Sequence, residues 1–251
     1  MKRTVFITGA TSGIGYATAE FLARQSYRLI LCGRRKERLK KIEEKLSDYT
    51  EIKILSFDAS NRKECEKAVS SLPEEWQKID ILINNAGNAH GLDSIQNGDI
   101  EDWDNMIDIN VKGLLYVSKM IIPGMVERKS GHVINIGSIA GKEVYPKGNV
   151  YCASKHAADA LNKSMLIDLN GYNIKVSAVN PGLVETEFSE VRFKGNSEKA
   201  RKVYEGFDPL QAEDIAEVIF FLITRPSHVN IADITVFPTA QASSIIVNRE
   251  K

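Results

Sequence analysis

The sequence predicts an α/β fold: one domain built on a doubly wound parallel sheet of about seven strands, with helices on both faces. Three observations predict it. Short runs that are apolar throughout alternate with amphipathic, charge-rich stretches, and strands without a polar face are what a sheet covered on both sides requires. A glycine-rich turn directly follows the first of these runs. Finally, 251 residues that are 43% hydrophobic and 26% charged suffice for one large core. No internal repeat, low-complexity tract or linker divides residues 1–251.

In chain order the strand candidates are RTVFIT (3–8), RLILC (28–32), IKILSF (52–57), IDILINN (79–85), GHVINIG (131–137), IKVSAVN (174–180) and DITVFP (233–238). Each is short, rich in β-branched residues and bounded by polar or turn-forming residues. Helical patterns fill 13–24, 36–47, 61–72, 101–128, 150–171 and 212–223. Pro123 falls late in the fourth, where its missing N–H is expected to kink or restart the helix. Residues 186–209, polar and charged, form the least regular stretch. A long, weakly structured insertion in a compact domain is more often functional than idle, so a substrate lid is expected there, with a surface excursion of no role as the alternative.

Charge and cysteine content narrow the function. Lys plus Arg equals Asp plus Glu at 33 each, so the overall charge points neither to nucleic acid nor to an acidic membrane surface, and a small-molecule partner is expected. Cys32, Cys65 and Cys152 are widely spaced and form no metal-like cluster with the four histidines; they read as reduced thiols of a cytoplasmic protein, and no metal is expected. The apolar run near the N-terminus is cut short by Gly9, unlike a secretory leader. No apolar stretch approaches the ~20 residues that span a bilayer.

The turn TGATSGIG (8–15) places Gly9, Gly13 and Gly15 between the first strand and the first helix. The spacing differs from G-x-G-x-x-G, but the physical parts are the same. Small residues let the backbone approach a pyrophosphate, and a helix N-terminus offers unpaired N–H groups, with hydroxyls at Thr11 and Ser12 beside them. The second strand runs into Gly33, Arg34 and Arg35, with no acid before Glu37. An acid there reads the ribose of NAD, whereas a cation accommodates the 2′-phosphate of NADP, so NADP is favoured. The competing reading is that the two arginines only cap a surface turn.

The stretch GNVYCASKHAAD (148–159) sets Tyr151 and Lys155 four apart at the start of a helix. Residues at i and i+4 share a face, so an ammonium there favours ionisation of the phenol, whose ordinary pKa is about 10. A solvated helix face shows the same spacing, so the pair needs company. Cys152 points about 100° away around the helix, toward the core.

With the glycine turn, NNAG (84–87), Asn110, Ser138, the Tyr151/Lys155 pair and NPG (180–182) in that order, the sequence resembles the short-chain dehydrogenase/reductase family over nearly its whole length. The segments DWDNMIDIN, PGMVER, INIGS, GNVY, PGLVETEFSEVRFKG and HVNI are similar to the NADP-dependent 3-hydroxy acid dehydrogenases, which act on serine, allo-threonine and malonic semialdehyde. The resemblance implies a Rossmann-type fold and hydride transfer between substrate carbon and nicotinamide. Tyr151 is then the general acid or base, and Lys155 lowers its pKa and holds the nicotinamide ribose. Ser138 bonds the substrate oxygen, and Asn110 holds a water of a proton relay. The cofactor lies along Gly9, Thr11, Ser12, Gly13, Ile14 and Gly15, then Arg34 and Arg35. Asp58 and Ala59 meet the adenine, Asn85, Ala86 and Gly87 its ribose, and Pro181, Gly182, Val184 and Thr186 the carboxamide. For Ser138 and Asn110, local backbone capping is the alternative role.

A 3-hydroxy acid carries a carboxylate, so its site needs a cation. Arg192 and Lys194 in the expected lid are available. Family members associate through helices equivalent to 101–128 and 150–171, which implies a homotetramer. Two other functions stay open: a broader carbonyl or 3-oxoacyl reductase, and a nucleotide-sensing protein without turnover.

Overall fold

A computed structural model describes residues 2–250. The seven apolar runs are strands β1 (Thr4–Ile7), β2 (Arg28–Gly33), β3 (Ile52–Ser56), β4 (Ile81–Asn84), β5 (Gly131–Ile136), β6 (Ile174–Pro181) and β7 (Asp233–Val236). They form one sheet in the order β3-β2-β1-β4-β5-β6-β7, and every neighbouring pair is parallel.

The lack of a polar strand face has a direct structural reason. Alternate residues of one strand enter two separate cores. Val5, Ile7, Leu29, Leu31, Ile81 and Ile83 pack with Leu22 of α1 (Gly13–Arg24), Leu39 of α2 (Lys36–Leu46) and residues of a late helix that includes Ile219. Phe6, Ile30, Leu82 and Val133 face the opposite layer, which holds Cys65 of α3 (Arg62–Ser70) and, after a single-turn α4 (Glu74–Gln77), Val117, Ile121, Met125 and Leu169. A fully buried side chain of this kind contributes about 1.5–3 kcal/mol, so both layers hold the sheet. The strand order reverses between β1 and β4, which leaves a crevice at the carboxyl ends of the strands, where ligands of such sheets bind.

The fourth helical interval differs from expectation. It comprises α5 (Ile100–Ile107), a π-helical stretch Asp108–Gly113, and α6 (Leu114–Arg128), which runs through Pro123 without ending. The irregularity lies at the π-helical stretch, not at the proline. Pro123 removes one backbone donor, while Ile121 and Met125, buried on either side of it, keep the helix seated. The joined run Ile100–Arg128 is 29 residues long, with mean hydropathy 1.2 in its most apolar window. Length and composition alone would let such a run cross a membrane, more than the sequence expectation allowed, but core helices share that property, and here Leu114, Val117, Ile121 and Met125 are buried.

Residues 186–209 are more regular than expected. They contain α8 (Phe188–Arg192) and α9 (Ser197–Lys202), separated by the positive-φ pair Lys194 and Gly195, and Asn196 caps α9 by accepting from the Lys199 amide at 3.0 Å. Tyr204 closes the segment, with its hydroxyl 2.7 Å from that of Ser189 and 2.9 Å from the Val184 carbonyl. Between α6 and this segment lies α7 (Asn149–Leu169), and after it α10 (Ala212–Ile223), the helix bearing Ile219. All three cysteines are free and buried, with Cys152 in a cluster containing Tyr151, Met106 and Ala140.

One buried polar group sets an acid limit on this core. His132 of β5 is 1% exposed. Its Nε2 lies 2.9 Å from the Ser177 hydroxyl, and its Nδ1 has no partner among the described residues. Burial, then Lys175 and Arg3, depress its pKa to about 3, whereas the unfolded imidazole titrates near 6.5. The unfolded chain therefore binds more protons between those values, and stability falls as pH drops through that window, by roughly 3–5 kcal/mol if this group acts alone. Melting temperature followed from pH 7 to 4 should decline in the wild type and less steeply in His132→Asn; parallel curves would contradict this.

Candidate active site

The crevice forms a cavity of about 460 Å³ lined by residues from the ends of β1, β2, β4, β5 and β6 and from α8. Its first wall is the glycine turn. Gly9 and Gly13 adopt φ of +65° and +51°, a region that favours glycine. At Gly15 a Cβ would sit 2.4 Å from both the Gly9 carbonyl oxygen and the Asn85 side chain, so this glycine packs the turn rather than lining the cavity. The Asn85 side chain is also committed, its Nδ2 donating to the Thr8 and Gly9 carbonyls at 2.9 and 3.2 Å. Asn85, Ala86 and Gly87 line the cavity beside Thr11, Ser12 and Ile14.

The next wall holds the arginines. Arg34 is 69% exposed, with one contact at 3.4 Å to Asp58. Arg35 is engaged: Nε and Nη2 donate to the Thr11 hydroxyl at 2.9 and 2.8 Å, Nη2 to the Ser12 hydroxyl at 2.6 Å, and Nη1 to Glu187 at 2.8 Å. Partial burial would raise the Asp58 pKa, but hydrogen bonds from Ser60 and the charge of Arg34 hold it below the usual range. Ala59 lies beside it, and Pro181, Gly182, Val184 and Thr186 line the far end. Glycine turn, hydroxyls and cations together fit a dinucleotide bearing an extra phosphate.

At the centre, α7 carries Tyr151 and Lys155 into the same cavity, each 8% exposed. The structure corrects one expectation about this pair. Burial raises the Tyr151 pKa well above its ordinary value, the neighbouring Tyr145 adds to the rise, and the groups that oppose it are Arg192 and Ser138, not Lys155. The Lys155 ammonium instead donates to the Ile136 carbonyl at 3.0 Å, and burial lowers its pKa to about 8. Burial dominates, and the cation seated over the phenol ring is Arg192, 4.8 Å from its centroid.

Ser138 follows β5 and lines the cavity; it also caps a short 3-10 turn by accepting from the Ala140 amide at 3.1 Å, so the capping role is met while the residue still borders the cavity. Asn110, in the π-helical stretch, lies beneath the cavity floor. Its Nδ2 donates to the Asn88 carbonyl at 2.9 Å and the Ser154 hydroxyl at 3.0 Å, and its Oδ1 accepts from the Asn88 amide at 2.9 Å. A Cβ on Gly87 would meet Asn110 Oδ1 at 2.9 Å and Lys155 Nζ at 3.6 Å, so the two side chains flank that glycine.

Of the two lid cations, only Arg192 reaches the cavity. It donates to the Tyr145 hydroxyl at 2.6 Å and stacks on Phe188 at 5.3 Å, and its buried Nε has no partner among the described residues. Lys194 pairs with Asp102 at 3.0 Å and Asp99 at 3.7 Å, away from the cavity lining. Tyr145, Phe188, Glu187 and Tyr204 also line the cavity and were missed from sequence; no spacing rule marks them.

The family model described as short chain dehydrogenase matches residues 3–197. The NADP-dependent 3-hydroxy acid dehydrogenase YdfG of Escherichia coli O6:H1 is 44% identical over 95% of this chain and 96% of its own. Sulfoacetaldehyde reductase 2 of Chromohalobacter salexigens is 40% identical over the full length of both. Among solved structures, the closed form of serine dehydrogenase complexed with NADP+ superposes with a TM-score of 0.92 at 42% identity, covering 99% of this chain and 100% of that one. With sequence, fold and a match across most of its length in agreement, this chain belongs to the short-chain dehydrogenase family.

Proposed function

We propose that the protein is an NADP-dependent oxidoreductase that interconverts a short 3-hydroxy acid, of the serine, allo-threonine, 3-hydroxyisobutyrate or 3-hydroxypropionate type, and its 3-oxo form. NADP, when bound, supplies or accepts the hydride. Thr11, Ser12 and Arg34 would hold its 2′-phosphate, Asp58 and Ala59 its adenine, and Lys155 and Tyr151 its nicotinamide ribose. Tyr151 gives a proton to the substrate oxygen on reduction and takes it back on oxidation. Ser138 hydrogen-bonds that oxygen, and Asn110 positions the floor at Gly87 next to Lys155.

One observation carries the substrate reading: Arg192 is a half-buried guanidinium with an unpartnered Nε, held against the ring of Tyr151. A buried donor without a partner is costly, and a carboxylate next to the reacting carbon would satisfy it bidentately. A sulfonate carries the same charge and can also offer two of its oxygens to a guanidinium, which accords with the name of the Chromohalobacter relative. Arg192→Met should raise KM for 3-hydroxyisobutyrate about 10- to 100-fold, the loss of one charged hydrogen-bonded contact, and change KM for an uncharged secondary alcohol much less. Equal changes for both would favour a broad carbonyl or 3-oxoacyl reductase. A homotetramer is proposed with it, supported by the exposed apolar residues Leu115 on α6 and Ile167 on α7, and a cytoplasmic location is proposed from the reduced, buried cysteines.

A further inference from the structure

Glu187 was not singled out in the sequence, and no step of the chemistry above uses it. Its carboxylate is gripped by two guanidiniums. Arg35 Nη1 donates to Oε2 at 2.8 Å, and Arg38 Nη1 donates to Oε1 at 2.7 Å and Oε2 at 3.0 Å. Partial burial alone would raise its pKa, yet the hydrogen bonds from Arg35 and Arg38 hold it below the usual carboxylate range. The same Arg35 donates to the Thr11 and Ser12 hydroxyls. Glu187 immediately precedes α8, the five-residue helix that ends on Arg192, and Thr186 on its other side packs against the glycine turn: a Cβ on Gly13 would lie 3.3 Å from the Thr186 side chain. One short helix is therefore pinned at its start to the phosphate-binding hydroxyls and carries the substrate cation at its end.

We infer that Glu187 is a positioning residue that couples the 2′-phosphate of NADP to the placement of α8. The Thr11 and Ser12 oxygens accept from Arg35 and keep their own hydrogens free to donate. A phosphate that takes those hydrogens makes the oxygens better acceptors, which strengthens their bonds to Arg35, because hydrogen bonds in series polarise one another. Arg35 is thereby fixed in the orientation that holds Glu187, and Glu187 holds α8. The series runs anion, hydroxyl, cation, carboxylate, with charges of alternating sign. Its catalytic consequence, that a bound 2′-phosphate steadies Arg192 for a substrate anion, rests on the substrate reading above; the coupling itself does not.

Adenosine 2′,5′-bisphosphate and adenosine 5′-monophosphate separate the two readings, because both fill only the adenosine end and neither reaches α8. Amide hydrogen exchange over residues 187–193, measured at saturation with each, should be about ten-fold slower with the bisphosphate, the effect of one steadied charged contact on local opening. In E187Q that difference should vanish, and in R38Q, which leaves the Arg35 contact intact, it should persist. Equal exchange with the two nucleotides in the wild type, or a difference that survives in E187Q, would overturn the coupling. The wild-type comparison stands by itself if a variant fails to fold. Exchange is blind to substrate, so a failed Arg192 experiment leaves this result interpretable, and the reverse also holds.

Discussion

Tyr151→Phe is expected to lower kcat by about 10³-fold, within the range supplied by a positioned proton donor. The expected effect on melting temperature is small, because the ring keeps its packing against Phe188 at a centroid distance of 5.6 Å and only the hydroxyl is lost. The direction of the Tyr151 shift adds a pH signature. Burial keeps the phenol protonated through neutral pH, so it stands ready as an acid for carbonyl reduction. Oxidation needs the phenolate, and its rate should climb with pH, whereas the rate of reduction should stay level near neutrality. Steady-state rates in both directions over pH 6–10 check both points. A variant as active as the wild type would remove Tyr151 from the chemistry, and absence of turnover in both would revive the reading of a nucleotide-binding protein without catalysis.

Arg34→Ala should raise KM for NADP about 10- to 100-fold and leave KM for NAD within about three-fold, because a hydrogen bond to a charged group contributes about 1.5–3 kcal/mol. This arginine is well suited to the comparison. It is 69% exposed and its one ion pair, to Asp58, is long at 3.4 Å, so removing it costs the ligand-free protein little. Arg35 is less informative, because its loss would also release Glu187 from one of its two partners. Kinetics of the wild type and Arg34→Ala with both cofactors make the check. An unchanged KM for NADP in Arg34→Ala would return this residue to the competing role of surface turn.

Much of the fold was legible because its strands are buried on both faces. Runs such as RLILC and IDILINN carry no polar alternation for exactly the reason the sheet carries none: each successive side chain enters a different core. Helix α10 was also plain, with its apolar stripe and polar flanks. The π-helical stretch at Asp108–Gly113 was not, since one extra residue in a helical turn leaves composition and periodicity nearly unchanged. Helices α8 and α9 escaped because five or six residues are too few to show a period.

The site was legible where chemistry demands a residue type at a fixed spacing, as in the glycine turn and the Tyr151/Lys155 pair. Where only tertiary packing decides, it was not. Arg192 and Lys194 looked equivalent in sequence, but α8 ends at Arg192 and Lys194 lies beyond it at φ +51°, so the chain turns and delivers the second cation to Asp99 and Asp102. Tyr145 and Glu187 act through partners 47 and 152 residues away, distances at which spacing carries no information.

The central claim is that the cavity joins a 2′-phosphorylated nicotinamide cofactor to a small anionic alcohol. The measurement that tests it most directly is the absorbance of reduced nicotinamide during turnover, with NADP and NAD in turn, across serine, allo-threonine, 3-hydroxyisobutyrate, 3-hydroxypropionate and uncharged secondary alcohols of the same size. The prediction is turnover with NADP well above NAD, and higher kcat/KM on the acids than on their uncharged counterparts. Preference for NAD, or uncharged alcohols turned over as well as the acids, would contradict it.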